Sequence, residues 1–203
     1  MPDLPPTRPT FVISCHADTG FRSHRLRVEG REVAGHLDNF AGVYAVMKAY
    51  FSGRMDLDGV RIELTPDEET DMAGARKVLR TLSPNDVVAV VDVTGAPTQA
   101  DITIEKCADP TLQRFVRAAL RGLSFELFAG CPDPVSTADE CDVYAKRLKR
   151  VFFLGIPCRG GDYNAGAVRA SRRSLEAVAL AVVRLARAFR RERGKPARKG
   201  RES

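Results

Sequence analysis

Two stretches of the chain are apolar without a break, Val87-Val-Ala-Val-Val91 and Val151-Phe-Phe-Leu154. Short, β-branched or aromatic runs of this kind predict strands covered on both faces. Thr10 to Cys15 reads as a further buried strand, and Ile102 to Ile104 as a short one. Val60, Ile62 and Leu64 alternate with Arg61 and Glu63, the period-two pattern of a strand buried on one face. Leu26 to Val33 alternates around Glu29-Gly30, which predicts a hairpin. Helices are expected over Asp38–Phe51, apolar nearly all round, over Met72–Leu82, closed by Ser83-Pro84, and over Pro110–Leu120. Val168, Leu175, Val178, Val182, Leu185 and Phe189 recur at helical spacing and predict one long amphipathic helix. Strands and helices alternate without repeats. The expected class is α/β, a three-layer sandwich with a mostly parallel, mixed central sheet and helices on both faces.

The 203 residues, 44% of them hydrophobic, suffice for one well-buried domain. The expected organisation is a flexible start over residues 1–9, a single domain over 10–190 and a basic, disordered tail over 191–203. Net charge is +6, but from Arg184 to Ser203 there are nine Lys or Arg against two Asp or Glu, so the rest of the chain carries about one net negative charge. Nucleic acid is therefore expected to bind at most weakly, through the tail. The cysteines Cys15, Cys107, Cys131, Cys141 and Cys158 are odd in number, scattered and without a C-x-x-C pair. That pattern points to a reducing, cytoplasmic setting. Neither a membrane span nor the apolar stretch of a signal peptide is evident.

The acids fall in a pattern. His16 and Asp18 follow the first strand, Asp38 opens the apolar helix, Glu68 and Glu69 follow the strand ending at Thr65, Asp92 ends a central strand, and Asp162 lies beyond the other. The carboxyl ends of parallel strands line one crevice, so these residues are expected to converge. Carboxylates so crowded repel one another unless a cation sits among them. One or two divalent metals answer that need, with His16 giving an imidazole nitrogen and the acids hard oxygens. In the Glu68-Glu69 pair one carboxylate can hold metal while its neighbour takes a proton from the activated water. Asp18 is placed to accept the other ring N–H of His16. Taken singly, each residue also has a structural reading: Asp38, Thr65 or Asp67 as helix caps, Glu68, Glu69 and Asp71 as partners of a helix dipole, Asp92 or Asp162 as turn caps.

The order His16-Ala-Asp18, Gly35-His-Leu-Asp38-Asn39, Asp67-Glu68-Glu69 with Ala73-Gly74-Ala75, and Asp92 resembles the co-catalytic zinc peptidases, a superfamily that includes leucyl and glutamyl aminopeptidases and related acylases and carboxypeptidases. Leu154-Gly-Ile-Pro-Cys-Arg159 is similar to the stretch that precedes their last ligand. The resemblance implies a metallopeptidase or amidohydrolase acting on a peptide or small amide. His16 and Asp92 would hold the first metal, zinc, with Asp38 bridging to a second held by Glu69; Glu68 would be the general base and Asp18 would orient His16. The final histidine of these families is missing: the three histidines are His16, His24 and His36. Asp162 stands roughly in its place, with Asn164 as another register and His36 as a substitute. An all-oxygen second site would favour Mn²⁺ or Mg²⁺. Against the resemblance, this sequence leaves no room for the inserted lid or dimerisation domain of several members, so the chain is expected to be a minimal core, one completed in a homo-oligomer, or a degenerate relative with an interaction role.

Overall fold

In a computed structural model, residues 8–23, 25–136 and 138–194 are described. The strands are β1 (Phe11–His16), β2 (Leu26–Glu29), β3 (Glu32–Gly35), β4 (Val60–Thr65), β5 (Val87–Thr94), β6 (Ile102–Glu105), β7 (Phe125–Leu127), β8 (Val151–Arg159) and β9 (Val168–Ser171). The helices are α1 (Phe40–Phe51), α2 (Ala73–Leu79), α3 (Pro110–Ala119), α4 (Glu140–Tyr144) and α5 (Arg172–Arg193). All strands join one sheet in the order β2-β3-β9-β8-β5-β1-β4, with β6 and β7 branching from β8. Its centre, β8, β5, β1 and β4, is parallel, while β6, β9, β3 and β2 attach antiparallel. This is the mixed α/β sheet that the apolar runs predict.

The two unbroken runs become β5 and β8, neighbours at the centre. Strand alternation sorts β5 between two cores. Val87, Ala89, Val91 and Val93 pack with α1, α3 and α5, and Val88 and Val90 pack with Ala75, Val78, Cys141 and Tyr144 from α2 and α4. Helices therefore cover both faces.

Local chemistry sets the helix starts. Asn39 Oδ1 accepts from the Gly42 amide at 2.9 Å, Asp109 accepts from Leu112 N at 2.6 Å ahead of Pro110, and Ser171 accepts from Arg173 N. The predicted long helix is shortened at its start, because Val168 belongs to β9. There Val168 and Ala170 are buried and Arg169 points out, and the seven-residue step from Val168 to Leu175 only coincides with a helical period. At its other end α5 runs to Arg193, so 191–193, placed in the tail by composition, are helical. Residues 195–203 and 1–7 lie outside the described residues. Strand β7 and helix α4 were not anticipated. Among the described residues no helix is long and apolar enough to cross a membrane.

Candidate metal centre

Register brings the first two ligands together. β1 and β5 pair in parallel with Ser14 opposite Val90, so two residues further on His16 meets Asp92. Both side chains project from the face shared by Val12, Val88 and Val90. His16 is 1% exposed, Asp38 5% and Asp92 7%. His16 Nε2 lies 3.1 Å from Asp38 Oδ1 and 3.1 Å from Asp92 Oδ2, and Nδ1 lies 3.4 Å from Asp18 Oδ1. Asp38 arrives from the residue preceding the cap of α1, and the Asp38–Asn39 peptide is cis.

Asp18 also accepts the backbone amides of Glu68 and Glu69, each at 3.3 Å. One carboxylate thus faces the His16 ring while it is hydrogen-bonded to the loop after β4. That loop is tightly wound: Asp67 and Met72 both take positive φ, and Met72 N donates to Asp67 O. Gly74 opens α2 directly against it, where a Cβ would lie 2.5 Å from Pro66 O. One ligand atom each from His16, Asp38 and Glu69 lie within 4.8 Å of one another.

Asp38, Glu68, Glu69 and Asp92 line one cleft of about 290 Å³, with Glu105, Asp133, Asp139, Tyr163 and Asn164 on its further walls. Among the lining residues there is no Lys or Arg. Burial pushes the Glu68 carboxyl up to about 8; the Asp92, Asp38 and Glu69 charges add to this and His16 opposes it. Burial also raises Asp92 and Glu69. For His16 burial acts downward, but Asp92 and Asp38 outweigh it and hold the imidazole protonated well above its ordinary range. Without another cation, the histidine proton is what this carboxylate group has to share.

Two buried atoms at the centre make no well-directed hydrogen bond among the described residues: Asp38 Oδ1, held at ion-pair distance from His16 Nε2, and His16 Nδ1, held likewise by Asp18. A buried carboxylate oxygen without a well-directed donor is costly, and a divalent ion is the ligand that would satisfy it together with an imidazole nitrogen. The donor set fits a metal.

The other carboxylates on this face are satisfied by protein. Glu140, 1% exposed, accepts from Ser14 Oγ at 2.7 Å and Thr65 Oγ1 at 2.5 Å. It thereby links β1 and β4 directly behind His16, whose register partner is Thr65. Asp133 accepts from Thr94 Oγ1, Gly95 N, Tyr163 Oη and Val135 N. Glu105 accepts from Thr103 Oγ1 at 2.6 Å beside Gly155, whose missing side chain leaves room for it: a Cβ there would sit 2.1 Å from Thr103 Oγ1. Lys106 pairs with Asp139 and Asp142.

Five of the sequence-predicted residues meet: His16, Asp38, Glu68, Glu69 and Asp92, with Asp18 behind them. Asp162 is exposed, accepts from the backbone and side-chain amides of Asn164, and is not among the cleft-lining residues. Asn164 does line the cleft. His36 is turned away, hydrogen-bonded to Ser23 O and stacked on Phe21 at 4.0 Å; His24 lies outside the described residues. Glu105, Asp133, Asp139, Glu140 and Tyr163 were missed. The end of β6 signals Glu105 by the same strand-end rule that found Asp92, and the Asp139-x-x-Asp142 capping box signals α4 and with it Glu140.

No protein-family model matches the sequence, and no curated protein matches significantly. Solved structures do resemble it. The chain is similar to PhTET1-12s, described as a dodecamer, at TM-score 0.66 and 18% identity over 80% of this chain and 53% of that one. It is similar to aminopeptidase APDkam598 from the archaeon Desulfurococcus kamchatkensis at TM-score 0.65 and 16% identity, covering 87% of this chain and 56% of that one. It is also similar to an M18-family aminopeptidase from Thermotoga maritima at TM-score 0.62 and 16% identity, covering 81% and 48%. At such identities the likeness is one of fold, and the chain spans about half the length of these relatives.

Proposed function

We propose that this chain is a metal-dependent hydrolase of the aminopeptidase type. The observation that carries the reading is the convergence of two buried carboxylates on one imidazole nitrogen, Asp38 Oδ1 and Asp92 Oδ2 each 3.1 Å from His16 Nε2, with no well-directed hydrogen bond to Asp38 Oδ1. His16 and Asp92 would hold a first ion, zinc by its imidazole donor, and Asp38 would be shared with a second ion held by Glu69. That second set is all oxygen, which suits Mn²⁺ or Mg²⁺; Asp162, engaged with Asn164, stays outside it. Bound ions supply Lewis acidity to the scissile carbonyl and to the attacking water.

The remaining work belongs to the side chains. Glu68, with its carboxyl raised to about 8, takes a proton from the attacking water as the new C–O bond forms, and delivers it to the departing amine as the C–N bond breaks. Nearby positive charge would lower that value and keep Glu68 ionised as a base at neutral pH. Asp18 orients the imidazole and holds the backbone of Glu68 and Glu69. A cleft rich in carboxylates and without a lining Lys or Arg favours a substrate with a free, cationic amino group over one recognised by a carboxylate.

A second reading, a metal-binding relative with an interaction role, is favoured by one observation: among the described residues His16 is the one histidine at the centre. Elemental analysis of purified protein, combined with aminoacyl amides and their N-acetylated counterparts, separates these readings. Bound metal with hydrolysis confined to the free amines is expected. Hydrolysis of the N-acetylated set alone would move the protein to the amidohydrolases. Metal without hydrolysis would support the interaction role.

A further inference from the structure

Strand β2 ends the sheet, and its outer edge has no ladder partner among the described residues. Natural edge strands are usually blunted by bulges, prolines or inward charges, because an open edge pairs with other chains. Here Leu26 and Val28 lie on one side of β2, both exposed, Val28 at 69%. They share their face with Val33, the register partner of Val28. That face continues into an apolar groove of about 380 Å³ walled by Leu37, Phe40 and Tyr44.

We infer that a second copy of this chain occupies this edge, with β2 pairing antiparallel to itself about a two-fold axis through Val28. The charges select that partner and that register. Arg27 has no ion-pair partner among the described residues, while Glu29 on the same side carries the opposite charge and is shared only with the exposed Arg169. An axis through Val28 sets Arg27 of each copy opposite Glu29 of the other, and Val28 opposite Val28. An axis through Arg27 would instead oppose like charges. In the favoured register Leu26 faces Gly30, which has no side chain to obstruct it, and the two apolar faces merge on one side. A four-residue ladder buries little, and stable interfaces need about 1,200 Å² or more in total, so the exposed Phe40 and Tyr44 must contribute and the dimer is weak and concentration-dependent.

Sedimentation velocity of the full chain over a wide concentration range tests this, with thermal melts to verify folding of each variant. Wild type is expected to pass from monomer to dimer. Arg27→Glu and Glu29→Lys are each expected to stay monomeric, and an equimolar mixture of the two is expected to dimerise, because mixing restores opposite charges at both cross-strand pairs. Because Glu29→Lys also removes the contact to Arg169, Val28→Lys serves as a monomerising variant that leaves every ion pair in place. A wild type that remains monomeric throughout overturns the proposal. So does a dimer indifferent to Arg27→Glu and Val28→Lys, or a mixture that stays monomeric. These readouts are independent of metal content and hydrolysis.

Discussion

Glu140 and Asp38 are both buried carboxylates close to the strand end that carries His16, yet their surroundings differ. Glu140 has a hydroxyl on each oxygen, from Ser14 and Thr65. Asp38 Oδ1 has no well-directed donor and shares the His16 ring nitrogen with a second aspartate. Asp133 resembles Glu140, with four donors around it, and Glu68 resembles Asp38, its proton held by burial and like charge. A buried acid completed by protein donors has a structural task. One whose neighbours are other acids and a single imidazole is less completely satisfied, which is the pattern the proposed metal would relieve. The difference in donors thus separates scaffold from site within one patch of negative charge on a single face of β1.

The largest effect should come from the acids gathered around His16. With metal bound, Glu68→Gln is expected to lower turnover by about two to four orders of magnitude while metal affinity stays near wild type, because the proton acceptor goes and the ligands remain. Glu69→Gln should lose metal instead. Steady-state kinetics beside calorimetric metal titration checks both, and equal behaviour of the two variants would erase the distinction between base and ligand.

The same residues predict opposite signs in stability. Glu140→Ala should cost about 2–4 kcal/mol, since Ser14 and Thr65 lose their buried acceptor. Glu68→Gln should stabilise the metal-free protein at pH 8 by about 1 kcal/mol, a modest figure because the side chain is partly exposed. Denaturant melts of the metal-free variants measure both; a stabilising Glu140→Ala would dissolve the comparison.

Acidity sharpens it further. Glu68 holds its proton to about 8 in the fold against 4.5 in the unfolded chain, so between those values the folded state binds more protons and stability falls as pH rises. Asp92 shifts in the same direction. From pH 5 to pH 8 the metal-free protein should lose about 2 kcal/mol, on the order of 5 °C in Tm, and added Zn²⁺ or Mn²⁺ should flatten that slope. A metal-free melt insensitive to pH would place these acids outside any strained cluster.

The smallest effect is expected beyond the cleft. Asp162→Ala should leave metal stoichiometry and affinity unchanged, because its carboxylate caps the turn to Asn164. A fall in stoichiometry by calorimetry would return Asp162 to the second metal.

Patterning along the chain determined a good deal. Uninterrupted runs at Val87–Val91 and Val151–Leu154 can be stable only in the middle of a covered sheet, so β5 and β8 were legible as central strands. Acids at the ends of such strands must gather where the strands end, which is why His16, Asp38, Glu68, Glu69 and Asp92 could be grouped without coordinates. What lay beyond reach were short elements and partnerships. β7 has three residues and α4 five, too few to show a period, and β9 borrowed one residue from the rhythm of α5. Whether an acid is satisfied depends on hydroxyls and amides far away in sequence: Glu140 on Ser14, 126 residues distant, and Asp133 on Tyr163 and Thr94. Asp38, Glu140 and Asp162 all read simply as acids in the sequence. Only the tertiary structure decides which oxygens meet protein donors: it sets Asp38 beside His16 in the cleft, Glu140 on the hydroxyls of Ser14 and Thr65, and Asp162 on the amides of Asn164.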